Sequence, residues 1–521
     1  MTFLTRALFA RVKIALTCVL LFTISVSSHV PSARAADNSV SLKITDISIA
    51  TIADTPVNSV RHEVTLSGSF TNTGLQAASP TIQLLTGSPL TSRFAVMSAI
   101  SNNTYPGITV HSEVFTKLIN VDSGQIENWQ LTFNADGFFA ADAPVAVFGA
   151  QIVGTSDQVL LPHSWFFKDS FQPTQLLINV PISTTSFHAV GQPIDLAVGA
   201  NEINRFNALI DSLPAQANVI VDPYVRDWLQ DFLGTDLAGR ADTLSQRLNK
   251  YSQYSSVYAQ TNIFTAVANK MTDISRNALS SEDKSVTVYS PSPQLVSKSV
   301  FNEVATTKDV LMILPNDVFG GSQQTVPAHG ISNGTNFLVS DSGLAQCFLL
   351  NNAVLANACV TSLLATITAQ SPNKSRTISL SVPLNAIDVQ ALGTLARPDL
   401  LNGIFQLTDI STALKSASIS HSIPQGPVLR NDLPTSLRRG LSQLQNLSQS
   451  VDAVFADKQL SRQLNATRYF SLSTMSTDQV INLERISNAV KYATDQLHTL
   501  SLQGSSRITI PGTKSQLPIT I

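Results

Sequence analysis

The sequence predicts a multidomain α+β protein: an N-terminal β-sandwich, a central α/β domain that a distorted barrel would satisfy, and a helical C-terminal section. Three observations carry this. From Ser39 to about Phe171, apolar and polar residues alternate in short runs broken by turn residues, the period-two pattern of strands with one buried face. From Phe206 to Leu384, apolar runs recur between stretches of helical periodicity, the alternation of a largely parallel sheet. From Leu437 to Tyr469 and from Thr477 to Leu500, two long apolar stripes repeat at helical spacing.

The order of elements divides the chain into residues 1–35 (a leader), 37–173 (an immunoglobulin-like sandwich), 194–432 (the α/β domain), 433–502 (helices) and 503–521 (a β hairpin). In the leader, Arg6, Arg11 and Lys13 precede an apolar run from Ile14 to Val26, and Ala33-Arg34-Ala35 offers small residues at a cleavage site. This is the pattern of an exported chain. It predicts a cell-envelope or secreted protein, with the uncleaved leader serving as an N-terminal membrane anchor in the alternative.

Strands in the sandwich region are SVSLKITDISIA, HEVTLSGSFTNTG, TIQLLTGSP, ITVHSEVFTKLINV, IENWQLTFNADG, APVAVFGAQIVG and DQVLLPHSWFF. Trp129 and Trp165 fall within these strands and read as core fillers. The segment from Gln175 to Pro193 reads as a strand and linker into the central domain, because Ser, Thr, Gly and Pro follow its apolar stretch.

The α/β domain then offers VIVDP at Val219–Pro223, SVYAQTN around Val257, VTVYSP at Val286–Pro291, VLMILPND at Val310–Asp317, NFLVSD at Asn336–Asp341 and RTISLSVP at Arg376–Pro383. Parallel sheets place their sites at the carboxyl ends of strands. Asp222, Asp317 and Asp341 stand there and are the candidate catalytic carboxylates; helix capping is the competing role for each. The Gly-punctuated stretch from Phe319 to Asn336 reads as a binding loop, with His329 and Asn336 as its candidate contacts. Leu384 to Leu414 carries helical spacing, interrupted by Pro398.

Charged residues are only 13% of the chain and the net charge is -2, so a nucleic-acid partner is excluded. No HExxH, CxxC or P-loop occurs, and no cofactor or metal is expected. Cys347 and Cys359 stand twelve residues apart. An exported chain would join them in one disulfide, whereas a large core would hold two free thiols; the spacing leaves both open.

Four stretches resemble a family of exported actinobacterial cell-envelope proteins of unknown function, catalogued as DUF6049. They are VTLSGSFTNTGLQAASPTIQLLTGSPLTSR (Val64–Arg93), VIVDP (Val219–Pro223), LLATITAQSPNKSRTISLSVP (Leu363–Pro383) and SSRITIPGTKSQLPITI (Ser505–Ile521). The resemblance implies an envelope protein of longer type, shortened here at its C-terminus, and brings no established activity to carry over. Two functions follow. The first is a non-catalytic binding or scaffold protein whose partner is a cell-wall glycan or an integral membrane protein. The second is a glycoside-processing enzyme of the wall that uses the strand-end aspartates.

Overall fold

The computed structural model describes residues 40–500 apart from 55–58, 141–142, 166–170, 252, 281–284, 321–324, 385–389, 396–402, 427–432 and 477. The leader expected over 1–35 and the hairpin expected over 503–521 lie outside the described residues.

Seven strands build the N-terminal domain as two antiparallel sheets. One sheet has the order β1 (Val40–Asp54), β2 (Ser59–Asn72), β5 (Ile126–Asn134). The other runs β4 (Thr109–Lys117), β3 (Thr81–Gly87), β6 (Val145–Ile152), β7 (Gln158–Ser164). The alternation seen in the sequence becomes a buried face, as on β5, where Trp129, Leu131 and Phe133 point inward. Both sheets share one core with Val64, Leu66, Phe70, Ile82, Phe148 and Trp165, which makes the domain a sandwich. Gly68 on β2 is required there: a Cβ would lie 2.1 Å from the Lys43 carbonyl and 2.2 Å from the Trp129 ring. Between β3 and β4 the chain forms helix α1 (Arg93–Asn102), where the sequence suggests only strands. Ser92 caps its first turn and Asn103 ends it at φ 48°.

The central domain is a closed parallel barrel. β8 (Thr174–Ile182), β9 (Asn218–Val221), β10 (Tyr254–Ser256), β11 (Val286–Tyr289), β12 (Val310–Pro315), β14 (Thr335–Ser340) and β15 (Thr377–Ser381) pair in that order. β15 then returns to β8, with Thr377 opposite Gln175 and Ser381 opposite Asn179. β8 is therefore the first barrel strand rather than part of a linker, and the domain opens at Thr174, ahead of the expected 194. Its run LLINVPI is apolar almost throughout because a barrel strand is buried on both faces.

β16 (Phe405–Thr408) also pairs with β8, over Thr174 to Leu177. Those residues already hold β15 on one edge, so β16 shares the other edge with β9. A seven-strand ring thus closes, with the eighth strand displaced below β9. The sequence reads this stretch as helical, and a four-residue strand is too short to announce itself by alternation.

Helix α2 (Pro223–Gln230) follows β9, α3 (Ser342–Cys347) follows β14, and α4 (Ala353–Ala369) lies between α3 and β15. The barrel interior is filled by Leu177, Ile220, Val288, Ile313 and Leu338, together with Ile410 and Ala413 of α5 (Ile410–Lys415). These side chains make a packed core.

Three helices follow, α6 (Thr435–Val454), α7 (Gln459–Phe470) and α8 (Gln479–His498). The single helix expected from Leu437 to Tyr469 breaks at Phe455, which is extended at φ -92°, ψ 135°. Asp457 restarts the helix by accepting from the Gln459 amide at 2.8 Å. The three pack on Leu437, Leu441, Leu444, Leu464, Ile486 and Ala493. They dock on the barrel mouth: Phe470 stacks on Phe187 at 5.0 Å, and the Thr474 amide donates to the Gln260 carbonyl at 3.0 Å.

Candidate functional site

A cavity of about 480 Å³ opens at the carboxyl ends of the barrel strands, within the usual size of roughly 300–1,000 Å³ for small-molecule sites. Its wall includes Asn179, Gln260, Tyr289, Asp317, Gln346 and Ser381. No lysine, arginine, histidine or glutamate lines it among the described residues. Asp317 is its carboxylate. It sits in the 3-10 turn Asn316–Phe319 directly after β12, and it has no hydrogen-bond or ion-pair partner among the described residues.

Asp222 ends β9 and is fully buried. Its Oδ1 accepts from the Tyr224 and Ala259 amides, both at 2.9 Å, and its Oδ2 accepts from Ser183 Oγ at 2.7 Å. It caps α2, with Pro223 in the first turn where a missing N–H costs nothing. Burial pushes its carboxyl up to about 6, against the pull of the bonds from Ser183, Tyr224, Ala259 and Gln260. Asp222 also holds a strained turn. Ala259 and Gln260 both adopt left-handed backbone, at φ 49° and 50°, a conformation that costs about 1 kcal/mol or more per non-glycine residue. From that turn Gln260 faces the cavity, its Nε2 donating to Ser256 Oγ at 2.8 Å.

Asp341 ends β14 and caps α3 through the Leu344 amide at 2.9 Å. Both of its oxygens also accept from the Arg93 guanidinium, which arrives from α1 of the sandwich. Of the three strand-end aspartates, Asp317 alone lines the cavity; Asp222 and Asp341 lie behind its wall and shape the turns that form it. The sequence puts all three at strand ends but contains nothing about which of them become caps.

Cys347 and Cys359 are joined in a disulfide with Cα atoms 5.6 Å apart. The bond ties the end of α3 to α4. By chain-entropy reasoning a loop of this length contributes about 3 kcal/mol.

His329 and Asn336 do not meet the cavity. From His329 on, the stretch read as one binding loop is the hairpin of β13 (His329–Ser332) and β14, turned at Asn333-Gly334. This turn is a common hairpin signal. Both His329 ring nitrogens are engaged, Nδ1 with the Ser416 carbonyl and Nε2 with Asn336 Oδ1, each at 3.0 Å. Asn336 lies near the amino end of β14, at the far end of the barrel from the cavity.

Sequence reasoning missed Asn179, Gln260, Ser381 and Arg93. Asn179 and Ser381 carried a usable signal, being polar residues inside the apolar runs LLINVPI and ISLSVP. Arg93 carried none, since its partner Asp341 lies 248 residues away, and Gln260 carried none, since the turn that aims it is held by Asp222, 37 residues before Ala259.

No protein-family model and no curated protein matches the chain. Solved structures that it resembles at low TM-score include glycosidases. A glycosyl hydrolase family 2 member from Bacteroides cellulosilyticus is 8% identical over 69% of this chain and 50% of that one, with a TM-score of 0.19. A β-galactosidase from Bacteroides fragilis is 10% identical over 53% of this chain and 43% of that one, at 0.17. A β-glucosidase from Kluyveromyces marxianus is 14% identical over 25% and 14% of the two chains, at 0.16. The chain spans half the length of these proteins or less. Similarity at this level assigns neither residues nor substrate.

Two expectations are corrected. The resemblance to DUF6049 is not upheld, since no family model matches the chain. The non-catalytic scaffold reading rested on a domain without a complete catalytic motif in its sequence. The closed barrel instead carries a cavity at its mouth, one free carboxylate in the wall and two buried, bonded aspartates behind it.

Proposed function

We propose that the protein is a glycoside-processing enzyme that takes a neutral sugar unit into the barrel mouth and uses Asp317 as its proton-transfer carboxylate. The single observation that carries this reading is the placement of Asp317, unpartnered in an otherwise uncharged wall of amides and hydroxyls, at the carboxyl ends of a closed parallel barrel. An uncharged polar wall suits a ligand rich in hydroxyls and gives no counter-charge to a phosphate or a carboxylate.

In the proposed reaction the Asp317 carboxylate takes a proton from the water whose oxygen ends on C1, and passes that proton to the glycosidic oxygen as the C1–O bond breaks. Asp222 and Asp341 are positioning residues, acting through Gln260 and through α3. The leader-like N-terminus and the Cys347–Cys359 bond support a site of action outside the cytoplasm, with a wall glycan as substrate.

The test is turnover of a panel of neutral p-nitrophenyl glycosides by the full chain and by Asp317→Asn. The expected result is hydrolysis of at least one glycoside, with kcat lower by about 10²–10⁴ in the variant and an unchanged thermal midpoint. Absence of turnover across the panel, or a variant as active as the native chain, overturns the reading.

A further inference from the structure

The geometry points to the cavity floor between β8 and β15 as a hydroxyl-recognition site, with Asn179 as its acceptor and Ser381 as its hydroxyl partner. The inference deepens the glycoside reading and rests on it.

Asn179 is completely buried, yet it lines the cavity. Its Nδ2 donates to Ser379 Oγ at 3.0 Å, which fixes the amide, while Oδ1 has no partner. Ser381 lies opposite Asn179 in the β8–β15 register and also lines the cavity, and its Oγ is likewise buried without a partner. Neighbouring groups among the described residues do not make up the deficit, since neither atom has a hydrogen-bond partner there.

Buried polar atoms are nearly always bonded, and an exception asks for a ligand or a water. Here two exceptions stand side by side at a ligand-sized cavity. An amide oxygen accepts and a serine hydroxyl both donates and accepts. One sugar hydroxyl satisfies both, donating to Asn179 Oδ1 and accepting from Ser381. An ether, a methyl or a ring carbon there would leave the amide oxygen unbonded, so the floor selects for a free hydroxyl on the deepest ring position.

The test is calorimetric titration of the full chain with methyl glucoside, methyl galactoside and methyl N-acetylglucosaminide, then with singly deoxygenated analogues of whichever binds. The chains compared are the native protein, Asn179→Leu and Ser381→Ala. The expected result is binding at least tenfold weaker in Asn179→Leu and weaker in Ser381→Ala. One deoxy analogue should lose a similar factor against the native chain and nothing further against Asn179→Leu.

Variants that bind like the native chain overturn the inference, as does a deoxygenation penalty that persists undiminished in Asn179→Leu, or a native chain that binds none of the three glycosides. Ser381→Ala keeps the test open should Asn179→Leu fold poorly. Coupled binding without hydrolysis supports this floor while removing the enzymatic reading. Hydrolysis indifferent to Asn179 does the reverse.

Discussion

Arg93 and Asp341 meet as a two-point fork, Nη1 on Oδ2 at 2.7 Å and Nη2 on Oδ1 at 2.6 Å, with each side chain only 2% exposed. The fork joins the sandwich to the barrel at the start of α3, the helix whose Ser342 and Gln346 line the cavity. Removing one partner strands a buried charge, so Arg93→Met should lower stability by about 3–5 kcal/mol. The loss in the double variant Arg93→Met/Asp341→Asn should fall well short of the summed single losses. Urea unfolding of the four chains measures both, and additive losses would show that the fork is not the coupling.

Asp222 should make the protein less stable as pH rises from about 4 to about 6. The native state keeps its proton up to about pH 6, whereas the unfolded chain sheds it near 3.8. Across that window the native state binds more protons, so stability falls with pH and the cost is complete above pH 6. The shift corresponds to about 3 kcal/mol. Asp222→Asn should flatten this part of the profile, read as the difference between the two chains in denaturant midpoint at pH 4 and pH 7. Parallel profiles would refute the assignment.

Gly68→Ala should unfold the sandwich at lower denaturant than any conservative change on the same strand. The new methyl meets a backbone carbonyl and the buried Trp129 ring, and overpacking of this kind costs about 1–3 kcal/mol or more. Trp129 fluorescence should report the loss. A midpoint equal to that of the native chain would mean that β1 and β2 can separate cheaply.

Phe470→Ala should loosen the helical cap before it loosens the barrel. Phe470 is 3% exposed and packs on Phe187, Tyr224 and the Arg485 guanidinium. Its truncation should cost about 3–5 kcal/mol. Amide exchange in α7 and α8 should then accelerate while β8 to β15 stay protected. Uniform acceleration would show that cap and barrel open together.

The architecture was legible where burial is one-sided or complete over several residues. β11, β12, β14 and β15 stand out as apolar runs ending in polar residues, and the sandwich stands out through alternation. β8 was visible as a strand but not as a barrel strand, because its pairing with Thr377–Ser381 lies about 200 residues away. β16 and the β13 hairpin were hidden by short length and by glycines that suggest a loop. The site was half legible. Strand-end aspartates could be named, but which of them faces space depends on whether a following amide claims the carboxylate. The Tyr224 and Leu344 amides claim Asp222 and Asp341, and none claims Asp317.

The disulfide described above has a mechanical consequence. Met97 on α1 touches Cys359 at 3.8 Å between sulfur atoms, and Cys359 is bonded to Cys347 at the end of α3. A load borne by the sandwich therefore reaches the cavity wall through this contact and covalent strut as well as through the Arg93–Asp341 fork. In oxidising surroundings α3 and α4 answer such a load as a single stiff member. Reduction replaces the strut with two thiols and leaves the Arg93–Asp341 fork to tie α1 to α3.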